Sequence, residues 1–245
     1  MHAAWKKSSL SDLWSKLRIP AIAALVLALV IPFTIYGSSG VILTAGLFAS
    51  IWLVASSLYE PVRWVIRRRS LRGYPRSMLG MSVAHFGVAV FAIGVGVTSA
   101  FSIERDVSML PGETSEIAGY EFEFRGTRSV EGPNYSAVEG EVAISRGGDE
   151  IATLTPQKRV YRVQRSPMTE SGIHARLSRD LYAALGEPLG GEAWSLRMQY
   201  KPLIRLVWLG ALLMAFGGLI AMSDRRYRVR EQAEDMVQTG AEATP

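Results

Sequence analysis

Four stretches of the chain are long, apolar and free of charged side chains in their interiors: roughly Ile19–Tyr36, Val41–Leu58, Met78–Phe101 and Leu203–Met222. Each is long enough to cross about 30 Å of hydrocarbon at about 1.5 Å per residue. Between the third and the fourth the pattern changes to period two. In "GYEFEFRG", Tyr120, Phe122 and Phe124 alternate with Glu121, Glu123 and Arg125, as in a half-buried strand. Gly147-Gly148 separates two strand-like runs in "GEVAISRGGDEIATLTPQKR", which is hairpin-turn chemistry. "KRVYRVQR" and "AWSLRMQYKP" alternate likewise, "HARLSRDLYAALGEP" leans to strand over helix, and "VEGPNYSAVEG" reads as a turn-rich loop. The expected fold is an α-helical integral membrane protein of four transmembrane helices with an inserted all-β domain, a small barrel or sandwich.

The basic residues orient it. Lys6, Lys7, Lys16 and Arg18 precede the first span, Arg63, Arg67, Arg68, Arg69, Arg72 and Arg76 fill the loop at 60–77, and Arg225, Arg226, Arg228 and Arg230 follow the last span. The hairpin Gly37–Gly40 carries no charge. The positive-inside rule then places both termini and the Arg-rich loop in the cytoplasm. The expected order is a juxtamembrane segment at 1–18 and three spans within 19–101 (about 19–36, 41–58 and 78–101). An outer β domain follows at 102–200, in a bacterium a periplasmic one, then a span within 201–222 and a cytoplasmic tail at 223–245. Leu10, Leu13, Trp14 and Leu17 form one apolar helical stripe, which reads equally as a short interfacial helix or a juxtamembrane linker. The tail is polar, without a hydrophobic face, and reads as disordered.

Composition excludes several classes. The pI near 9.6 suggests nucleic acid, but the arginines sit beside spans while 102–200 leans acidic, so no basic face is left for nucleic acid. They read as topology determinants touching the lipid bilayer. The chain has no Cys, so the outer domain is no disulfide scaffold and any thiol chemistry belongs to a partner. The first apolar run is long, starts late and leads straight into another span, unlike a cleaved signal peptide.

One ionisable residue stands inside a span. His85 lies in "MSVAHFGVAVFAIGVGVTSAF", which is otherwise apolar or small. A polar group in hydrocarbon needs a partner, and such residues are functional candidates. Its stripe of Met81, Ser82, Val88, Ala89 and Ala92 is mostly small, so another helix or a flat macrocycle can approach. Three readings stand open: a neutral imidazole bonded to a neighbouring helix, a proton relay, or an axial ligand of haem iron. The relay is weakened because no Asp or Glu falls inside the four spans. The other histidines, His2 at the cytoplasmic terminus and His174 in the outer domain, do not reach the depth of His85. A six-coordinate haem on His85 would therefore take its second ligand from outside this chain.

Several stretches together resemble the C-terminal part of the CcmF family of cytochrome c maturation. They are "GMSVAHFGVAV", "MLPGE" with "GYEFEFRG", "VEGPNY", "ATLTPQKRVYRVQRSPMTE", "LSRDLYAALGEPLG", "AW" and "YKPLIRLVWLGALLMAFGGLIAMSDRRYR". The resemblance covers nearly everything from Leu71 to Arg230 and implies a haem lyase component of the bacterial inner membrane. Such proteins receive haem from the chaperone CcmE and, with a CcmH-type protein, attach it to the CxxCH thiols of apocytochrome c. The family holds a haem b between two transmembrane histidines, and the histidine of "VAHFG" in this pattern is His85, the implied ligand of that haem iron. The family's "WWD" haem-presenting segment, its two periplasmic haem-ligating histidines and the other transmembrane ligand have no counterpart here. The expectation is a CcmF fragment or split subunit that pairs with an N-terminal portion and does not catalyse attachment alone. Two rivals remain: an assembly module that docks partners without haem, and a haem transporter, which would need more polar residues along the spans.

Three further features are weaker. His174 in "TESGIHARLSRD" reads as a surface or turn histidine. Gly210, Gly217 and Gly218, with Ala211 and Ala215, suit tight helix packing. Arg159, Arg162 and Arg165 read as a solvated strand face, with a partner's acidic surface or haem propionates as alternatives.

Overall fold

A computed structural model describes residues 10–38, 40–163 and 165–224. Its helices are α1 (Leu10–Tyr36), α2 (Val41–Arg68), α3 (Arg76–Phe101) and α4 (Ile204–Met222). Three of them, α2, α3 and α4, are long and apolar enough to cross a membrane, while the apolar part of the first, Ala21–Tyr36, is shorter. α1 nonetheless runs unbroken from Leu10, so the apolar stripe at 10–17 is neither a separate interfacial helix nor a linker but the start of α1. His2 and the expected disordered tail lie outside the described residues.

The second helix departs from expectation. Leu58 was the expected end, with 60–77 as loop, yet α2 continues through Pro61 to Arg68. It ends where Arg69 turns left-handed (φ 51°) and its N–H bonds the Val65 carbonyl. A proline removes one intrahelical bond without forbidding the helix where neighbouring groups are satisfied by other means. Arg63, Arg67 and Arg68 therefore stand on helix, and the connection to α3 shrinks to a few residues.

The chain packs as two units: one of the residues up to Gly96 with those from Leu206 onward, the other Val97–Arg205. In the first, α3 and α4 run antiparallel with their backbones in contact. A Cβ on Gly87 would stand 2.7 Å from the Met214 nitrogen, and one on Gly217 would stand 2.5 Å from the Ala84 nitrogen. Gly80, Gly94 and Gly210 are equally closed, whereas Gly218 meets nothing within 4 Å. The glycines recur every seven residues on both helices, so only a bare backbone fits along the seam. Asp224, just past α4, accepts the Ser77 N–H at 2.9 Å and caps the start of α3.

The second unit is a sandwich. Its strands are β1 (Ile103–Met109), β2 (Thr114–Ile117), β3 (Tyr120–Glu131), β4 (Tyr135–Arg146), β5 (Asp149–Leu154), β6 (Gln157–Tyr161), β7 (Pro167–Glu170), β8 (Gly172–Arg176), β9 (Arg179–Gly190) and β10 (Ala193–Pro202). One sheet runs β1-β10-β9-β8 and the other β2-β3-β4-β6-β7, with β5 also on β4. All pairings are antiparallel, with Phe122 opposite Ile144, Phe124 opposite Val142, and Met198 opposite Ala183. These side chains, with Met109, Leu181, Leu185 and Leu196, form the buried core. Gly147 and Gly148 both take positive φ and close the β4–β5 hairpin, as their chemistry demands. "VEGPNYSAVEG" is not the expected loop: β3 and β4 run through it and leave only a tight turn at residues 132–134, because Val130 pairs Ala137 and Glu131 pairs Ser136.

In the full chain in mild detergent, Gly87→Leu should lower the thermal unfolding midpoint by the equivalent of about 1–3 kcal/mol, the usual cost of overpacking. Gly218→Leu should leave it unchanged. Equal effects would contradict the seam.

Candidate functional site

α3 presents two opposite faces. The glycine seam, centred on Gly87, turns toward α4, and His85 lies roughly 160° around the helix at about 100° per residue. His85 borders a groove of about 400 Å³ between α2 and α3, lined by Ser56, Ser57, Glu60, Tyr74, Met78, Met81, Ser82 and His85. Ser82 and Ala89, above and below on the same stripe, are buried.

The imidazole is half-satisfied. Its Nδ1 lies 2.8 Å from the Met81 carbonyl oxygen, one turn back on its own helix. A carbonyl only accepts, so in a neutral ring Nδ1 carries the proton and Nε2 keeps a lone pair. Among the described residues, nothing donates to Nε2. The hydroxyls of Ser56 and Ser57 are turned back to the Leu53 and Val54 carbonyls. Of the three open readings, a bond to a neighbouring helix is absent among the described residues; the ring uses its own helix. An imidazole with its Nδ1 fixed by a carbonyl is the arrangement that presents Nε2 to a metal, and the groove falls within the 300–1,000 Å³ common for cofactor sites.

Glu60 and Tyr74 were missed. Reading the second span as ending at Leu58 left Glu60 in a loop; continuation of α2 puts this carboxylate on the groove that holds His85. No acidic residue lies within the four expected spans, but one does lie on a helix long and apolar enough to cross a membrane. The signal was the helical spacing of Ser56, Ser57 and Glu60, hidden by the proline that follows. Tyr74 is buried, its ring edge-on to Trp64 with centroids 5.4 Å apart, which pins the α2–α3 connection over the groove.

The sandwich residues fall elsewhere. His174 is on β8, and its Nε2 accepts a bond from Arg176 Nε at 3.3 Å. Arg159 lies over the Tyr135 ring at 4.6 Å and 3.6 Å from Glu170, and Arg162 stands 3.6 Å from Glu131. β6 ends at Tyr161 and Arg165 sits in a left-handed turn, so the three arginines do not share one strand face. Among the described residues, no group of three or more His, Asp or Glu forms a metal cluster.

An antiparallel β-sandwich inserted in the chain between two helices long and apolar enough to cross a membrane, one of which carries a half-satisfied histidine, defines a helix-anchored sandwich protein. A sequence profile described as the CcmF C-terminal β-sandwich matches residues 100–202. The cytochrome c-type biogenesis protein CcmF of Pseudomonas fluorescens is 42% identical over 92% of this chain and 34% of its own length. CcmF of Pseudomonas aeruginosa is 53% identical over 65% of the chain and 24% of its own. CcmF of Escherichia coli K12 is 35% identical over 92% and 34%. A solved structure, "Cytochrome c Heme Lyase CcmF", superposes with a TM-score of 0.70 at 20% identity, over 90% of this chain and 36% of that one, and shows the shared fold. The chain belongs to the CcmF family and corresponds to its C-terminal portion. It spans about a third of the length of the curated relatives it matches.

The sandwich carries a pH signature. Burial first, then the Arg179 and Arg176 guanidiniums, hold the His174 imidazole below its usual range. The unfolded chain therefore takes up a proton near pH 6.5 that the folded domain resists, and stability falls as pH drops through that value. In denaturant titrations of the full chain, His174→Gln should flatten the loss of stability between neutral pH and about pH 5. An unchanged slope would contradict this reading.

Proposed function

We propose that this chain is the C-terminal part of a CcmF-type haem lyase, a membrane protein of cytochrome c maturation. In this reading His85 is one axial ligand of a transmembrane haem b, whose other ligand comes from outside the chain. The observation that carries it is the His85 ring, with Nδ1–H held by the Met81 carbonyl and Nε2 left to accept. The carbonyl fixes the tautomer and ring plane. The small Ser82 lines the groove beside the ring. His85 is the residue of this chain that would hold the haem iron, and a haem bound there would supply one-electron transfer. Tyr74 packs over the groove, and the turned-back serines leave few polar atoms competing for the ring.

The positive-inside pattern supports an inner-membrane protein with both termini cytoplasmic and the sandwich periplasmic. There the sandwich is a docking domain where the haem chaperone CcmE, a CcmH-type protein and apocytochrome c meet, beside the N-terminal portion of CcmF. The long antiparallel sheets suit that task, because their exposed faces are rich in charged pairs such as Arg197–Asp106 and Arg125–Glu150.

The test is a visible spectrum of the chain co-expressed and purified with the N-terminal portion of CcmF. His85→Ala should abolish the b-type bands while the complex still assembles. A b-type spectrum left intact by His85→Ala would leave only the assembly-module reading.

A further inference from the structure

The end of the sandwich from which α4 departs carries an array of cationic donors with no anionic acceptor among the described residues. The Tyr120 hydroxyl oxygen accepts from Arg179 Nε at 3.0 Å and from Arg146 Nη1 at 3.1 Å. Both guanidiniums also stand against the Tyr120 ring, their carbons 4.7 and 4.9 Å from its centroid. A phenol oxygen has two lone pairs and one proton. Here both lone pairs are taken, and the proton has no acceptor among the described residues. Arg179 is only 7% exposed, and its further bond goes to the neutral His174 carbonyl. Neither guanidinium takes part in an ion pair among the described residues; the nearby Asp180 is committed to Arg205 Nε at 3.0 Å and to the Arg176 N–H at 3.1 Å. A buried cation held without a carboxylate is costly, and two cations sharing one hydroxyl more so. Such an array is complete only when an anionic oxygen joins it.

Its place in the chain selects the anion. Arg179 pairs in register with Pro202, and α4 begins two residues later at Ile204. Tyr200 stacks on Tyr120 with centroids 6.2 Å apart and pairs with Ile103, two residues past the end of α3. Lys201 lies over the Tyr182 ring at 4.9 Å. Tyrosines and cations beside the ends of two apolar helices are the makeup of a membrane-interface belt. On the proposed orientation this is the face where topology gives arginine no role. The abundant anion at that depth is the phosphate of a phospholipid headgroup.

We propose that Arg146, Arg179 and the Tyr120 hydroxyl form a phospholipid phosphate site, closing on one headgroup at the outer membrane surface. Arg146 is the exposed, entering arm, and Arg179 is the fixed floor. The site shares no residue with the His85 groove and survives the loss of the haem reading.

The test is native mass spectrometry of the full chain, delipidated in mild detergent and titrated with phosphatidylglycerol, with diacylglycerol, and with phosphatidylglycerol in the presence of inorganic phosphate. The chain should bind one phosphatidylglycerol that Arg146→Gln weakens about ten-fold, the scale of one charge-assisted hydrogen bond. Arg146 is exposed, so its loss leaves the core folded; Arg146→Lys, which keeps the charge, should retain part of the affinity. Phosphatidylglycerol binding that is equal in the chain and in Arg146→Gln would overturn the site. Diacylglycerol binding with the same Arg146 dependence would overturn the phosphate as its ligand. Displacement of the lipid by inorganic phosphate at matched concentration would overturn the lipid as its source.

Discussion

A neutral imidazole brings one donor and one acceptor into an apolar helix, and hydrocarbon satisfies neither. His85 meets the first need within its own turn, through Nδ1 and the Met81 carbonyl, and leaves the second open on a groove. That division gives α3 its chemistry. Had both nitrogens been satisfied by neighbouring helices, the residue would be packing and nothing more. With one lone pair projecting, it can meet a metal or a donor brought from outside the chain.

The packing of α3 and α4 protects that arrangement. The glycine seam lets the two backbones touch, so the face they share has no room for a side chain longer than hydrogen at Gly80, Gly87 or Gly217. The contact fixes the rotation of α3 about its axis, which turns His85 to the opposite side, toward α2. Asp224 adds a polar clamp at the start of α3 through the Ser77 N–H. The sandwich solves a separate problem. It buries Phe122, Phe124, Leu196 and Met198 between two sheets.

Much of this was legible in the residues, and the failures have physical causes. Period-two alternation in "GYEFEFRG" identified β3 because a half-buried strand has no other way to segregate its side chains, and Gly147-Gly148 identified the hairpin because few residues accept positive φ twice in succession. The glycines of α4 announced close packing, and the matching heptad on α3 shows only once the two helices are set side by side. Two boundaries near prolines differ from expectation. The second span was expected to end at Leu58, yet α2 passes through Pro61 and carries Glu60 onto the groove. Pro133, in "VEGPNY", read as part of a long loop, yet the flanking strands need only a tight turn there. The Arg–Tyr–Arg array was out of reach altogether, because Tyr120, Arg146 and Arg179 converge only through the register of three strands on two sheets.

The central claim is that Nε2 of His85 binds the haem iron while Nδ1 stays on the Met81 carbonyl. The direct measurement is pulsed electron paramagnetic resonance of the oxidised haem in the complex with the N-terminal portion, with this chain alone labelled with ¹⁵N-histidine. One strongly coupled ¹⁵N and one weakly coupled remote ¹⁵N bearing an exchangeable proton are predicted. A haem whose ligating nitrogens are all ¹⁴N would contradict the account.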